Sequence, residues 1–331
     1  MSERDQISTK QLTKPHCRRY GWIVVGNIGI VNIILIGLMV LFLWKSGFLM
    51  ESHGQMWFGA SLPNLNNSFY HELAMELDAG IQARGHRLMI RDCGLDSTLQ
   101  AAHIRQMVRK GVQAVFVCPS EEEALNDVLR ECMAAGITVI MVGDGLAPPG
   151  CSVVTSDNEN AGRQLANFLK GDCVSARILV ISATHSEAFA ARQRGFAEAL
   201  KGVPGFEILQ TIYVQDHMRA AMEATENVLS AGLDFDTVFA VNDGMGIGAC
   251  AALQKRGKTS VRILSVDGGP EGKRMVKNDL FQATAQQYPF LIAQRAVECA
   301  FRRKPEGECI KVPVKLITRN IIASYDLEKW D

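Results

Sequence analysis

Five short polar phrases in this chain each follow an apolar run, where a buried strand would end. They are Asn66-Asn67-Ser68-Phe69-Tyr70, Ala190-Ala191-Arg192-Gln193-Arg194-Gly195, Asn242-Asp243-Gly244, Val266-Asp267-Gly268-Gly269 and Gln286-Gln287-Tyr288-Pro289. Amides, guanidinium groups and carboxylates gathered in one place donate and accept hydrogen bonds in fixed directions, which suits a small molecule covered in hydroxyls. The chemistry they offer is recognition. The seven histidines are scattered, and the chain has no His-Glu-x-x-His, nucleophile elbow or phosphate loop. Gly143-Asp144-Gly145 is too short for a dinucleotide fingerprint. A lone cleft carboxylate such as Asp267 is more often a binding group than a catalyst. The sequence therefore predicts no enzyme, no cofactor and no metal site.

The elements that must position these phrases alternate with regularity. Met56–Leu62, Arg87–Ile90, Ala114–Val117 and Ile137–Val142 are short apolar runs read as strands. Between them lie an amphipathic helix over Phe69–Arg84, a helix through Ile104, Met107 and Val108 ending near Gly111, and a helix opened by Glu121, Glu122 and Glu123, whose charges favour the helix dipole. The stretch Val153–Asn158 reads as a connection, with Asp157 or Asn158 capping a helix that runs to Leu169. The pattern then restarts, with strands at Arg177–Ser182, Phe206–Tyr213, Thr237–Val241, Arg262–Val266 and Ala283–Ala285. The intervening helices are Glu187–Leu200, Met218–Ala231, Met245–Lys255 and Pro270–Asn278. Apolar runs of this length spaced by helices indicate parallel sheets buried on both faces. Two successive sets of such units predict two doubly wound α/β lobes.

A different segment precedes them. From Trp22 to Trp44 there is no charged residue, and 23 residues as a helix span roughly 34 Å, enough to cross a bilayer core. Tyr20, Trp22 and Trp44 stand where interfacial aromatics belong. Arg4, Lys10, Lys14, Arg18 and Arg19 outnumber Glu3 and Asp5 before the span, so the positive-inside rule keeps residues 1–20 cytoplasmic. A cleavable signal peptide is the alternative, but its apolar region is normally shorter. No cysteine follows the span at the distance a lipoprotein needs. The predicted plan is a cytoplasmic tail at 1–20, a signal anchor at 21–45, a linker at 46–55 and a folded region outside the cytoplasmic membrane.

Roughly 280 residues remain after the anchor, enough for two lobes. The whole chain has a formal net charge of zero, so no basic face for nucleic acid is expected. Of the nine cysteines, Cys17 precedes the span. The other eight could pair in an oxidising compartment, in combinations the sequence does not choose between. None forms a Cys-x-x-Cys pair.

In order and spacing, the polar phrases make residues 56–326 resemble the type I periplasmic sugar-binding proteins of the ribose- and galactose-binding group. The resemblance implies two Rossmann-like lobes joined by three crossovers, with the sugar in the cleft between them. It places the first lobe at 56–156 plus 288–311 and the second at 157–287 plus 312–331. It also implies ligand roles for Asn67, Phe69 and Tyr70 in the first lobe and for Arg194, Asn242, Asp267 and Gln287 in the second, with Asp243 as the natural helix cap beside Asn242. Where such proteins commonly carry an Asp-Arg pair after the fourth strand, this chain has Gly143-Asp144-Gly145, and Asp144 is the candidate replacement. Where they present a further aromatic, it has Gln215-Asp216-His217. The implied function is a membrane-tethered solute-binding protein that closes on a monosaccharide or derivative and delivers it to an ABC transporter permease. The alternative is a sensing subunit that presents its closed form to a histidine kinase or chemoreceptor. The effector domains of LacI-type repressors share the fold, but a membrane span stands where their helix-turn-helix would be.

Overall fold

The computed structural model describes residues 34, 36–39, 54–143, 148–184, 186–302 and 307–330. The chain divides into two compact units, Met1–Gly54 and Gln55–Asp331. In the first unit, residues 34 and 36–39 are helical. The rest of the predicted 21–45 anchor and the 1–20 tail lie outside the described residues. Among the described residues, no helix is long and apolar enough to cross a membrane.

The second unit alternates strand and helix almost without exception. Its strands are β1 (Trp57–Leu62), β2 (Arg87–Asp92), β3 (Ala114–Val117), β4 (Thr138–Val142), β5 (Ser152–Ser156), β6 (Ala176–Ser182), β7 (Phe206–Tyr213), β8 (Thr237–Ala240), β9 (Arg262–Asp267), β10 (Ala283–Gln286), β11 (Cys309–Val312) and β12 (Lys315–Thr318). Its helices are α1 (Ser68–Gln82), α2 (Ser97–Lys110), α3 (Glu122–Ala134), α4 (Asn158–Asp172), α5 (Glu187–Leu200), α6 (Met218–Ser230), α7 (Asp243–Lys255), α8 (Pro270–Lys277) and α9 (Pro289–Ala300).

The strands form two six-stranded sheets, in the orders β11-β5-β4-β3-β1-β2 and β12-β10-β9-β8-β6-β7. Every pairing is parallel except β10 with β12. The fold is thus the predicted pair of parallel-sheet α/β lobes. Helices cover both faces, so β3 and β8 are buried along their whole length and read as unbroken apolar runs. The stretch expected as a connection, Val153–Ser156, instead belongs to β5, fully buried between β4 and β11.

The chain passes between the sheets three times: from β5 into α4, from β10 into α9, and from β11 into β12. Helix α9 returns to the first lobe, where Ile292, Ala293, Ala296 and Val297 join the core built around Phe58, Leu73 and Leu77. The C-terminal segment runs along α8, and the fully buried Lys273 donates to the carbonyls of Asp326 and Lys329 at 3.1 and 2.8 Å. Its last described residue, Trp330, packs against the first-lobe core. All eight described cysteines are free thiols.

Candidate functional site

In the first sheet β1 lies between β2 and β3, and in the second β6 lies between β7 and β8. Connections leaving β1 and β3, or β6 and β8, therefore diverge and open a crevice beyond the strand ends, which is where open α/β sheets bind ligands. Loops from both lobes face one cleft with two chambers. One, of about 430 Å³, is lined by Tyr70 and Glu121 from the first lobe and by Phe189, Tyr213 and Asp216 from the second. The other, of about 370 Å³, sets Asn64, Asn66 and Asn67 opposite Asp216, Asn242 and Asp267. Asp216 borders both chambers.

A buried polar array forms the floor on the second-lobe side. Arg192 Nε donates to Asn158 Oδ1 at 2.8 Å, and Arg192 Nη1 donates to the Val241 carbonyl at 2.7 Å. The same Nη1 lies 3.5 Å from Asp267 Oδ1. Gln287 Nε2 donates to that oxygen at 2.7 Å, and the Gln287 backbone N–H donates to the Asp267 carbonyl at 2.8 Å. Asn242 Nδ2 donates to Asp216 Oδ1 at 2.6 Å. Asn158, Arg192, Asn242, Asp267 and Gln287 are all buried.

Backbone geometry aims these groups. Asp267 ends β9 at φ 131°, a conformation that side-chain-bearing residues rarely adopt and that concentrates at functional sites. Gly268 follows at φ 61°, and a Cβ there would lie 2.5 Å from Gln286 Cα, so only glycine lets the ends of β9 and β10 meet. That close approach brings Gln287 onto Asp267. Arg192 is placed by helix packing. On α5 it shares the buried face with Phe189 and Phe196, three residues before and four after it. Helices α4 and α5 touch backbone to backbone. A Cβ on Gly162 would sit 1.9 Å from the Arg192 carbonyl, and one on Gly195 would sit 1.9 Å from that of Glu159. Asn158, at the first turn of α4, thereby reaches the guanidinium.

Burial dominates the electrostatics. It pushes the Asp267 carboxyl up to about 8 against the pull of Arg192, with Asp243 adding to the rise. Burial also raises Asp243, to about 6, while the Ser265 and Thr284 hydroxyls and the Gly268 and Gly269 N–H groups hold it down. Asp216 is raised by burial, in spite of its bond from Asn242.

Five of the eight residues singled out from sequence line the cleft or its floor: Asn67, Tyr70, Asn242, Asp267 and Gln287. Asn67 also caps α1, accepting from the Phe69 N–H at 2.9 Å, so its Nδ2 is the group left to face the cleft. Phe69 is buried in the first-lobe core, edge-on to Tyr70 and Trp330 at centroid distances of 5.5 and 6.0 Å. Asp144 lies outside the described residues. Arg194 points to the exposed flank of α5 and pairs with Glu187, so the guanidinium brought to Asp267 is that of Arg192. Asn242, not Asp243, caps α7 by accepting from the Met245 N–H at 2.8 Å. Sequence reasoning missed Arg192, Asp216 and Asn158 as site groups. The helical spacing of Phe189, Arg192 and Phe196 was a usable signal for the first.

This geometry can recognise a compact polar molecule from two sides, with carboxylates and amides as the directed partners. Comparison with known proteins agrees with that character. A ribose import binding protein of Bacillus subtilis is 28% identical over 275 residues, covering 79% of this chain and 87% of that protein. A solved ABC transporter solute-binding protein from Mycobacterium smegmatis, with bound glycerol, superposes with a TM-score of 0.78 at 24% identity, covering 84% of this chain and 100% of that one. Another, from Bacillus halodurans with bound myo-inositol, gives a TM-score of 0.77 at 22% identity over 83% of this chain and 99% of that one. The model of the periplasmic binding protein domain family matches residues 58–304, and the chain belongs to that family.

Proposed function

We propose that this protein captures a small polyhydroxylated molecule, a monosaccharide or a derivative of one, outside the cytoplasmic membrane and delivers it to an ABC-type importer. The observation that carries this reading is the buried Arg192–Asp267–Gln287 array at the strand ends, faced across the cleft by Asn67 and Tyr70. Hydroxyls both donate and accept, so one sugar can bond to carboxylate, guanidinium and amide groups at once. The relatives' names and contents support it, since ribose, glycerol and myo-inositol are all small polyols. Contacts from both lobes would favour a closed form over an open one, a hinge motion with the three chain passages as the hinge. In this reading the lobes comprise 56–156 plus 288–311 and 157–287 plus 312–331.

The apolar stretch from Trp22 to Trp44 supports tethering as a single-pass inner-membrane protein, with the folded part outside. Tethering also favours a second reading, in which the closed form engages the outer domain of a histidine kinase or chemoreceptor.

Thermal unfolding of the purified protein against pentoses, hexoses and polyols tests the ligand class. A ligand at about 100 times its Kd adds roughly 2.7 kcal/mol of stability. A shift with one of these establishes the class, and no shift with any of them rejects a sugar ligand.

A further inference from the structure

The cleft offers more negative charge and more acceptors than a neutral sugar needs. Asp216, Asp243, Asp267 and Glu271 border the chamber that holds the Asp267 array, against Arg219 and the imidazole of His217. Glu121 adds a further carboxylate in the neighbouring chamber. Of these groups, Asp243 is bonded to Ser265 and Thr284, and Glu271 and Arg219 lie near Arg274 and Glu223, at 3.7 and 3.9 Å. His217 caps α6 through Nδ1, and its Nε2 meets Gln215. Lys273, the other buried cation of this lobe, is bonded to main-chain carbonyls of the C-terminal segment. Among the described residues, two carboxylates, Asp216 and Asp267, are therefore left to the ligand, with Arg192 as the buried guanidinium beside them.

The hydrogen bonds lean the same way. Arg192 Nε and Nη1 are already engaged, the latter twice, which leaves the Nη2 hydrogens as its donors to a ligand. Asp267 Oδ1 takes both donors aimed at that carboxylate, and Asp216 Oδ1 takes the Asn242 amide. Among the described residues, no side chain donates to the second oxygen of either carboxylate. Gln287 Oε1 is buried and also lacks a donor. Buried acceptors without donors cost free energy, and a buried uncompensated charge costs more. Burial raises the Asp267 carboxyl, and a positive charge beside it would favour its charged form. An ammonium group has three donors, no acceptor and the opposite charge.

Resting on the reading of this cleft as a sugar site, we propose that the preferred ligand carries a protonated amine, as an amino sugar or aminocyclitol does, with the ammonium held by Asp216 and Asp267. Its hydroxyls then meet Arg192, Gln287 and the asparagines of the first lobe.

Calorimetric titration of the intact protein with matched pairs tests this: glucosamine beside glucose, galactosamine beside galactose, mannosamine beside mannose, and an aminocyclitol beside myo-inositol. N-acetylglucosamine serves as the uncharged control. The expected result is at least one amine bound about tenfold or more tightly than its neutral parent, with acetylation abolishing any gain from glucosamine. In Asp216→Asn the amine-to-parent ratio should fall to within about threefold of one. Neutral parents binding as well as or better than every amine would overturn the proposal while leaving the sugar reading intact. No binding by any compound, charged or neutral, would overturn both.

Discussion

Arg192 Nη1 and Asp267 Oδ1 lie 3.5 Å apart with both side chains buried, a separation longer than a well-formed charge-assisted bond. The pair is close enough to be one electrostatic unit and loose enough for a ligand group to share. Removing Arg192 leaves the buried Asn158 Oδ1 and the Val241 carbonyl without their donor, which costs about 1–3 kcal/mol for each unsatisfied group. Arg192→Ala should therefore lower both the unfolding free energy and ligand affinity. Arg194→Ala removes an exposed pair with Glu187 and should change stability by less than about 1 kcal/mol. Chemical denaturation of the two variants checks the contrast, and equal losses would mean that Arg194 has a role its position does not suggest.

The raised Asp267 carboxyl gives a pH dependence of definite sign. Folded, the group holds its proton up to about 8, whereas in the unfolded chain it ionises near ~4. The native state therefore binds more protons between those values, and the contribution of Asp267 to stability falls as pH rises through that window. Asp267→Asn abolishes this term. Measured from pH 5 to 8 without ligand, the wild type should lose stability relative to the variant, by at most about 1.4 kcal/mol per pH unit. A difference that grows in the opposite direction would show that Arg192 outweighs burial.

Gly162 tests whether the guanidinium is placed by helix contact. A methyl group there would meet the Arg192 carbonyl at 1.9 Å, so α4 and α5 must separate. Gly162→Ala should destabilise by about 1–3 kcal/mol, as overpacking does. It should also weaken ligand binding although residue 162 touches no ligand. Calorimetry beside a melting curve separates the two effects, and unchanged affinity in the folded variant would dissociate Arg192 from the helix contact.

Trp330 reaches from the C-terminal segment to Phe69 in the first lobe and covers Gly269 in the second. Trp330→Ala should cost about 1–3 kcal/mol of apolar burial. Phe69 stands directly behind Tyr70 of the cleft wall, so loss of its support should also show as faster amide exchange around residues 64–70. Native exchange there would confine Trp330 to packing.

Strands β1–β4 and β6–β10 were legible as short apolar runs and helices α1–α8 by their one buried face, whereas β5, α9, β11 and β12 were not read. What was not legible depended on the third dimension. Ser152–Ser156 carries three hydroxyl side chains in five residues and looks like a linker until β4 and β11 enclose it. Arg192 and Arg194 are two residues apart in one phrase, and only the direction of α5 separates a buried partner of Asp267 from an exposed partner of Glu187. Asn242 and Asp243 are both competent caps. Asn242 takes the role while Asp243 turns inward to Ser265 and Thr284. Asp216 gave no sign at all, because a carboxylate in a polar loop reads as solvated.

The three passages between the sheets also order the birth of the molecule. Strands β1–β5 leave the ribosome first, yet the strand that covers the β5 edge begins at Cys309, about 150 residues later. The first lobe must wait for it, and for α9, with an open edge and an uncovered core. Meanwhile β6–β10 form one uninterrupted stretch that can complete most of its sheet at once. The lobe made second is thus the first able to fold, and anything that guards the nascent chain has to protect the one made first.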